Sequence, residues 1–203
     1  MEYLDYYDEN DNYLGRETRE VVHSEGLWHK TVHNWLYTDD GKVIFQIRKD
    51  SNKFYTTSSG HVDAGESVEE ALIRETKEEI GLTVDPALSK LISVVPWKMD
   101  KVKKDGRVIK DRAKASVFIT KYTGDNSDFS CDIEEVLGVV FVDAKKTLAL
   151  FKGETKSTEA MIVTNDNSEK RTVTIDDFLV MPGETALNKY GYILEAVLKE
   201  TRL

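Results

Sequence analysis

Apolar side chains recur along this chain either at every second position or at helical spacing, and the blocks they form predict a mixed α/β domain. Residues 3–7 read as an edge strand, DENDN at 8–12 as a turn, and Tyr13-Leu14 as the resumption of extended chain. A polar link through His23 and Gly26 then leads into a strand over 29–38, which the turn Asp39-Asp40-Gly41 folds back onto a strand over 42–48. After a second turn at 51–53, residues 54–57 feed a glycine-rich loop. Further strands are expected at 91–96, 115–122 and 136–142, the first two on either side of a charged, flexible segment, KMDKVKKDGRVIKDR. A short helix is expected over 143–151, and a small hairpin pairs 158–163 with 170–175. Residues 184–199 close the series as an amphipathic helix, with Leu187, Tyr190, Ile193, Leu194, Val197 and Leu198 on its apolar side. Its opposite face is not basic, so it is expected to pack on the domain or on a second subunit rather than on a membrane.

The most regular block is GHVDAGESVEEALIRETKEEIGL, residues 60–82. Ser67 is placed to cap a helix that starts near Val68, with Glu69 and Glu70 in its first turn, where negative charge meets free amides. Gly81 ends it. On such a helix Leu72, Ile73, Thr76 and Ile80 gather on one side, while Glu75, Glu78 and Glu79 form a separate stripe. Carboxylates this close repel one another unless a cation lies among them. Magnesium or manganese suits an all-oxygen site, and the glycine turn ahead of the helix adds room for phosphate.

Composition narrows the setting. The chain has 203 residues, 40% hydrophobic and 32% charged, enough for one substantial core and no sign of disorder. A formal charge of -9 without a basic stripe argues against a nucleic-acid polymer as partner. The lone Cys131 excludes an intramolecular disulfide framework, the start MEYLDYYDEN is neither a signal peptide nor an anchor, and no apolar run suits a membrane span. A cytoplasmic protein is expected.

The block at 60–82 resembles the signature box of the Nudix hydrolase family: glycine, five residues, glutamate, seven residues, then RETKEEIGL for the family's arginine-glutamate-aliphatic-any-glutamate-glutamate-any-glycine-aliphatic ending. Thr76 alone departs, and its methyl is expected to fill part of an aliphatic core position. The resemblance implies an α/β/α sandwich with a mixed central sheet. The whole of 1–203 would be one such domain, with an N-terminal extension at 1–28 and a C-terminal hairpin and helix elaboration at 152–203. It also implies magnesium- or manganese-dependent hydrolysis of a small-molecule diphosphate, read here as a nucleoside diphosphate linked to a further group. In that reading Glu75, Glu78 and Glu79 supply metal carboxylates, Glu78 and Glu79 as direct ligands, and Gly60 lends its carbonyl. Arg74 orients a box carboxylate, and Glu66 does similar work near the loop. The base that activates water stays open between Glu134, Glu135 and Asp111.

The chain is similar as well to isopentenyl-diphosphate isomerases, through LWHKTVHNWLY and the SGH triplet at 59–61. In those enzymes a catalytic cysteine precedes the Gly-His pair, and histidines with downstream glutamates hold a metal. Here Ser59 takes the cysteine position, the RAKAS region offers Arg112 and Lys114 instead of a glutamate pair, and Glu75 restores the hydrolytic arrangement. His29 and His33 share one side of their strand, so with His61 they either line the substrate cleft or form a second metal site, whereas His23 carries no signal of its own. Trp28, Trp35, Phe54 and Trp97 are candidate platforms for a base, or core residues. A binding module that kept the fold without catalysis is the third reading, and a homodimer is compatible with all of them.

Overall fold

In the computed structural model, which describes residues 1–103 and 105–202, one mixed sheet carries helices on both faces. Its strands are β1 (Tyr3–Tyr7), β2 (Tyr13–Thr18), β3 (Trp28–Tyr37), β4 (Lys42–Arg48), β5 (Phe54–Tyr55), β6 (Ser58–His61), β7 (Ser89–Val102), β8 (Val108–Lys121), β9 (Val136–Asp143), β10 (Thr158–Val163) and β11 (Ser168–Val173). The helices are α1 (Arg19–Glu25), α2 (Val68–Ile80), α3 (Ala144–Phe151) and α4 (Ala186–Thr201). The expected α/β/α sandwich is therefore the fold observed.

β3 organises the sheet. It runs parallel to β8 from the pair Trp28↔Arg112 to Tyr37↔Lys121 and antiparallel to β1, β4 and β6 at different points along its length. Strand alternation then sorts its side chains between two cores. Val32 and Leu36 face α2 and its Leu72 and Ile80, while Trp35 and Tyr37 face Leu148 and Phe151 of α3 and Tyr190, Leu194 and Val197 of α4.

Three expectations change. Residues 3–7 are not an edge, because β2 lies outside them. The polar link contains α1, whose first turn Thr18 caps by accepting from the Val21 amide and which ends at Gly26 in the left-handed region. Apart from Lys104, which lies outside the described residues, the charged segment expected to be flexible belongs to the far half of a long β7–β8 hairpin, paired from Ser89↔Thr120 to Val102↔Val108 with one shift of register between Leu91 and Ser93. Its alternation of Trp97 and Met99 with lysines and its Asp105-Gly106 turn are hairpin signals hidden by the charge.

The C-terminal hairpin and helix are built into the domain. β10 pairs with β9, extending the sheet, and Ile193, Leu194 and Val197 are fully buried. Leu194→Ala is expected to cost about 2–5 kcal/mol and to shift one cooperative urea transition of the whole chain. A separate early transition for the last fifty or so residues would show instead that they fold apart from the rest. Among the described residues, no helix is long and apolar enough to cross a membrane.

Candidate active site

α2 begins and ends where local chemistry sets it. The Ser67 hydroxyl accepts from the Glu70 amide at 3.2 Å, the Glu70 carboxylate accepts from the Ser67 amide at 2.8 Å, and Gly81 takes a φ of 79° at the other end. The helix packs across β6 so closely that a Cβ on Gly60 would overlap the Glu75 carboxylate. Any larger residue there would push the carboxylate away from Arg74.

The acidic stripe divides by depth. Glu79 is buried, accepting from the Ser59 amide at 2.9 Å and from the Gln46 side-chain amide at 3.4 Å. Burial pushes its carboxyl up to about 8, the Ser59 bond opposes this, and the charges of Glu75 and Glu135 add to it. Glu75 is half-buried and raised by the same desolvation, which Arg74 partly offsets. Glu78 is exposed. Arg74 ties the group together: it donates to both Glu66 oxygens at 2.9 and 2.8 Å, to Glu75 at 2.7 Å, to Glu78 at 3.1 Å and to the His61 carbonyl at 2.9 Å. A planar guanidinium with a fork of donors suits this role in a way that lysine does not. Of the loop glutamates, Glu134 points outward to Lys49 at 3.0 Å, and the charge of Glu135 is felt at Glu79.

Thr76 does more than fill space. Its hydroxyl donates to the Leu72 carbonyl at 2.7 Å, meets the Ser58 hydroxyl at 2.8 Å and accepts from the Asn34 amide at 3.0 Å. Where an aliphatic residue was the pattern, this chain has a buried polar junction between α2, β3 and β6, completed by Thr120 donating to Asn34 at 2.7 Å.

On the opposite face of β6 lies a second cluster. His23 from α1, His29 from β3 and His61 from β6 bring ligand-capable nitrogens within 4.8 Å of one another. Each ring uses Nδ1 outward: His23 to the Arg19 carbonyl at 2.9 Å, His29 to the Leu27 carbonyl at 3.1 Å, and His61 to the Glu2 carboxylate at 3.0 Å. That leaves Nε2 of each as the inward lone pair, the arrangement in which carbonyls and carboxylates orient metal-ligating imidazoles. Burial lowers His29 to about 3 and also lowers His23, so both rings are neutral. The His61 bond pulls Glu2 down to about 2. Asp111 from β8 stands 3.6 Å from His29 Nε2, too far to bond, and both of these buried atoms lack a partner. Three imidazoles within ligand distance of one another, with the unpartnered His29 Nε2 and Asp111 Oδ1 beside them, fit a divalent cation.

The expected trio of histidines is therefore corrected: His23 replaces His33. An even separation on a strand does give His29 and His33 one side, but four residues of extended chain put them about 13 Å apart. His33 lies against Tyr55 instead, with ring centres 6.0 Å apart. The signal for His23 was present in Thr18, Glu20 and Gly26 as helix start and stop. Arg112 and Lys114 are engaged elsewhere, with Asp100 at 2.5 Å and Asp11 at 2.9 Å. Among the aromatic candidates, Phe54 belongs to the core, and Trp35 is nearly all buried in it with one edge on a pocket. Trp28 lies beneath the ammonium groups of Lys98 and Lys114, and Trp97 lines the same pocket as Trp35.

A cavity of about 1090 Å³ opens before the imidazoles, lined by Arg19, Lys101, Lys103 and Arg107 as well as Asp111. In a chain of net charge -9 this local excess of cations favours an anionic ligand.

The NUDIX domain model matches residues 27–170. An uncharacterized Nudix hydrolase of Clostridium acetobutylicum is 31% identical over 98% of both chains. An isopentenyl-diphosphate Delta-isomerase of Serratia proteamaculans is 30% identical over 41% of this chain and 50% of its own. A crystal structure from Deinococcus radiodurans superposes with a TM-score of 0.51 at 20% identity, covering 75% of this chain and 90% of that one, a likeness of fold.

Proposed function

The chain belongs to the Nudix family, and from that membership we propose that it is a divalent-metal-dependent hydrolase cleaving a phosphoanhydride bond in a nucleoside diphosphate linked to another group. The observation that carries this reading is the box itself. α2 holds Glu75, Glu78 and Glu79 in the register the family motif requires, packed on Gly60 and cross-linked by Arg74.

A divalent cation bound there neutralises charge on the phosphoryl oxygens and lowers the pKa of a water. Glu78 and Glu79 would be its carboxylate ligands, and Glu75 and the Gly60 carbonyl would complete the protein's share. Arg74 keeps Glu75 and Glu78 aimed, and Glu66 fixes Arg74. Glu135 is assigned as the base, since its charge reaches Glu79 while Glu134 is held by Lys49. Oxygen ligands suit magnesium or manganese at the box, and the imidazoles with Asp111 suit manganese or zinc.

The test is a screen of nucleoside triphosphates, dinucleotides, nucleotide sugars and coenzymes with magnesium and with manganese. Metal-dependent release of phosphate-containing products is expected, and Glu135→Gln should lose far more rate than Glu134→Gln. Equal losses in the two would remove the base assignment.

The imidazole cluster favours a second reading, isopentenyl-diphosphate isomerase, whose members hold a metal with histidines. Against it, Ser59 stands where that chemistry uses a cysteine, and Ala113 lies opposite His29 on β8. Conversion of isopentenyl to dimethylallyl diphosphate without cleavage would establish that reading and end the first.

A further inference from the structure

The pocket lined by Trp97 shares no residue with the box and only Asp111 with the imidazole cluster. It holds about 270 Å³ between α4 and the sheet and reaches Asp111, where it meets the larger cavity. Its floor is made by Ala113, Ala115 and Val117 of β8 with Thr31 and His33 of β3, and the two alanines keep it open. Its walls are the rings of Tyr55, Trp97 and Tyr190. At the foot of α4, Lys189 is 15% exposed, pairs with Glu184 at 3.2 Å, and lies 5.2 Å from the Tyr55 ring centre, 5.7 Å from Tyr190 and 6.0 Å from Trp97. Glu184 is itself fixed by the Met181 amide at 3.1 Å.

The ring walls suit a planar ligand, and the Lys189–Glu184 pair offers it polar partners that an aliphatic ligand leaves unused. An ammonium beside a carboxylate presents a donor next to an acceptor, the complement of any ring edge that carries an acceptor beside an N–H. An alkyl chain would displace water from Lys189, Glu184 and the neutral imidazole of His33 without replacing its hydrogen bonds.

We propose that this pocket receives the base of the substrate: a planar heteroaromatic ring whose edge is read by Lys189 and Glu184, with the phosphates leading past Asp111 into the cavity before the imidazoles. Specificity is thereby placed on α4, β7 and the floor of β8. The proposal rests on the hydrolase reading for what the phosphates do, but the ring's binding is separable from it.

The test is titration of the full chain, without metal, with phosphate-free adenosine, guanosine, cytidine and uridine, followed by tryptophan emission, with isopentenol as the aliphatic control. At least one nucleoside should quench emission saturably, and isopentenol should not. Ala115→Leu, which fills the floor, and Lys189→Met, which keeps the length of the side chain and spares the fold if the leucine does not, should each weaken binding roughly tenfold or more. Asp166→Asn, on the exposed turn between β10 and β11, should bind the nucleoside as the unaltered chain does. Saturable binding with these variant effects but no hydrolysis of any diphosphate would keep the pocket and overturn the hydrolase. No saturable binding up to the solubility limit, or equal binding in Ala115→Leu and Lys189→Met, would overturn the pocket even if hydrolysis is found.

Discussion

Glu79→Gln is expected to lower metal-dependent turnover by about a thousandfold while leaving the fold intact. The exchange keeps shape and hydrogen bonding to the Ser59 amide but removes the negative charge. Loss of a metal ligand from a phosphoryl-transfer site forfeits several kcal/mol of transition-state stabilisation, and each 1.36 kcal/mol is about a decade in rate. The pH dependence separates this from a general loss of structure. Below its pKa of about 8, the Glu79 carboxyl holds a proton that an incoming cation must displace. Metal affinity of the unaltered chain should therefore climb about tenfold per pH unit as pH rises toward that value, then level, and the climb should vanish in the glutamine variant. The sign for the metal-free fold is the reverse. A carboxyl raised in the native state from 4.5 to about 8 holds its proton longer than the unfolded chain does, so its contribution is full below 4.5 and is lost as pH rises through 8. Undiminished turnover in Glu79→Gln would remove the box from the chemistry.

His29→Ala should weaken manganese and zinc binding at the imidazole cluster by at least about a hundredfold, since even supporting residues of metal sites cost 10–100-fold. The thermal stabilisation that metal confers should go with it, about 2.7 kcal/mol at a concentration a hundredfold above the dissociation constant. His33→Ala is the matched control. It lies on the same side of the same strand but against Tyr55, and should bind metal as the unaltered chain does. Calorimetry on both variants decides the matter, and equal affinities would dissolve the cluster as a metal site.

What the sequence disclosed followed the range of the interactions involved. The cap at Ser67, the acidic first turn and the stop at Gly81 are settled within a few residues of each other, and α2 is found where they place it. The hairpin of β3 and β4 was equally local. The imidazole cluster was not, because His23, His29 and His61 come from a helix and two strands that only the sheet brings together. Thr76 is buried, as its place in the motif implies, but the partners of its hydroxyl, Asn34 and Ser58, are remote in sequence, so those bonds are not legible from it. Asp111, weighed as a base for the box, is found beside His29, because β8 runs parallel to β3 and carries its odd-numbered side chains to the imidazole side.

α4 and β8 have a consequence for how such a protein diversifies. The groups assigned to bond cleavage lie between Gly60 and Glu135, whereas Glu184 and Lys189 sit more than forty residues later on a separate helix. Exchanging the terminal helix, or enlarging a single alanine on β8, would redirect the protein to a different molecule without disturbing a metal ligand. The two halves of the task thus sit on separate elements of one core, and a lineage could change its diet while keeping its teeth.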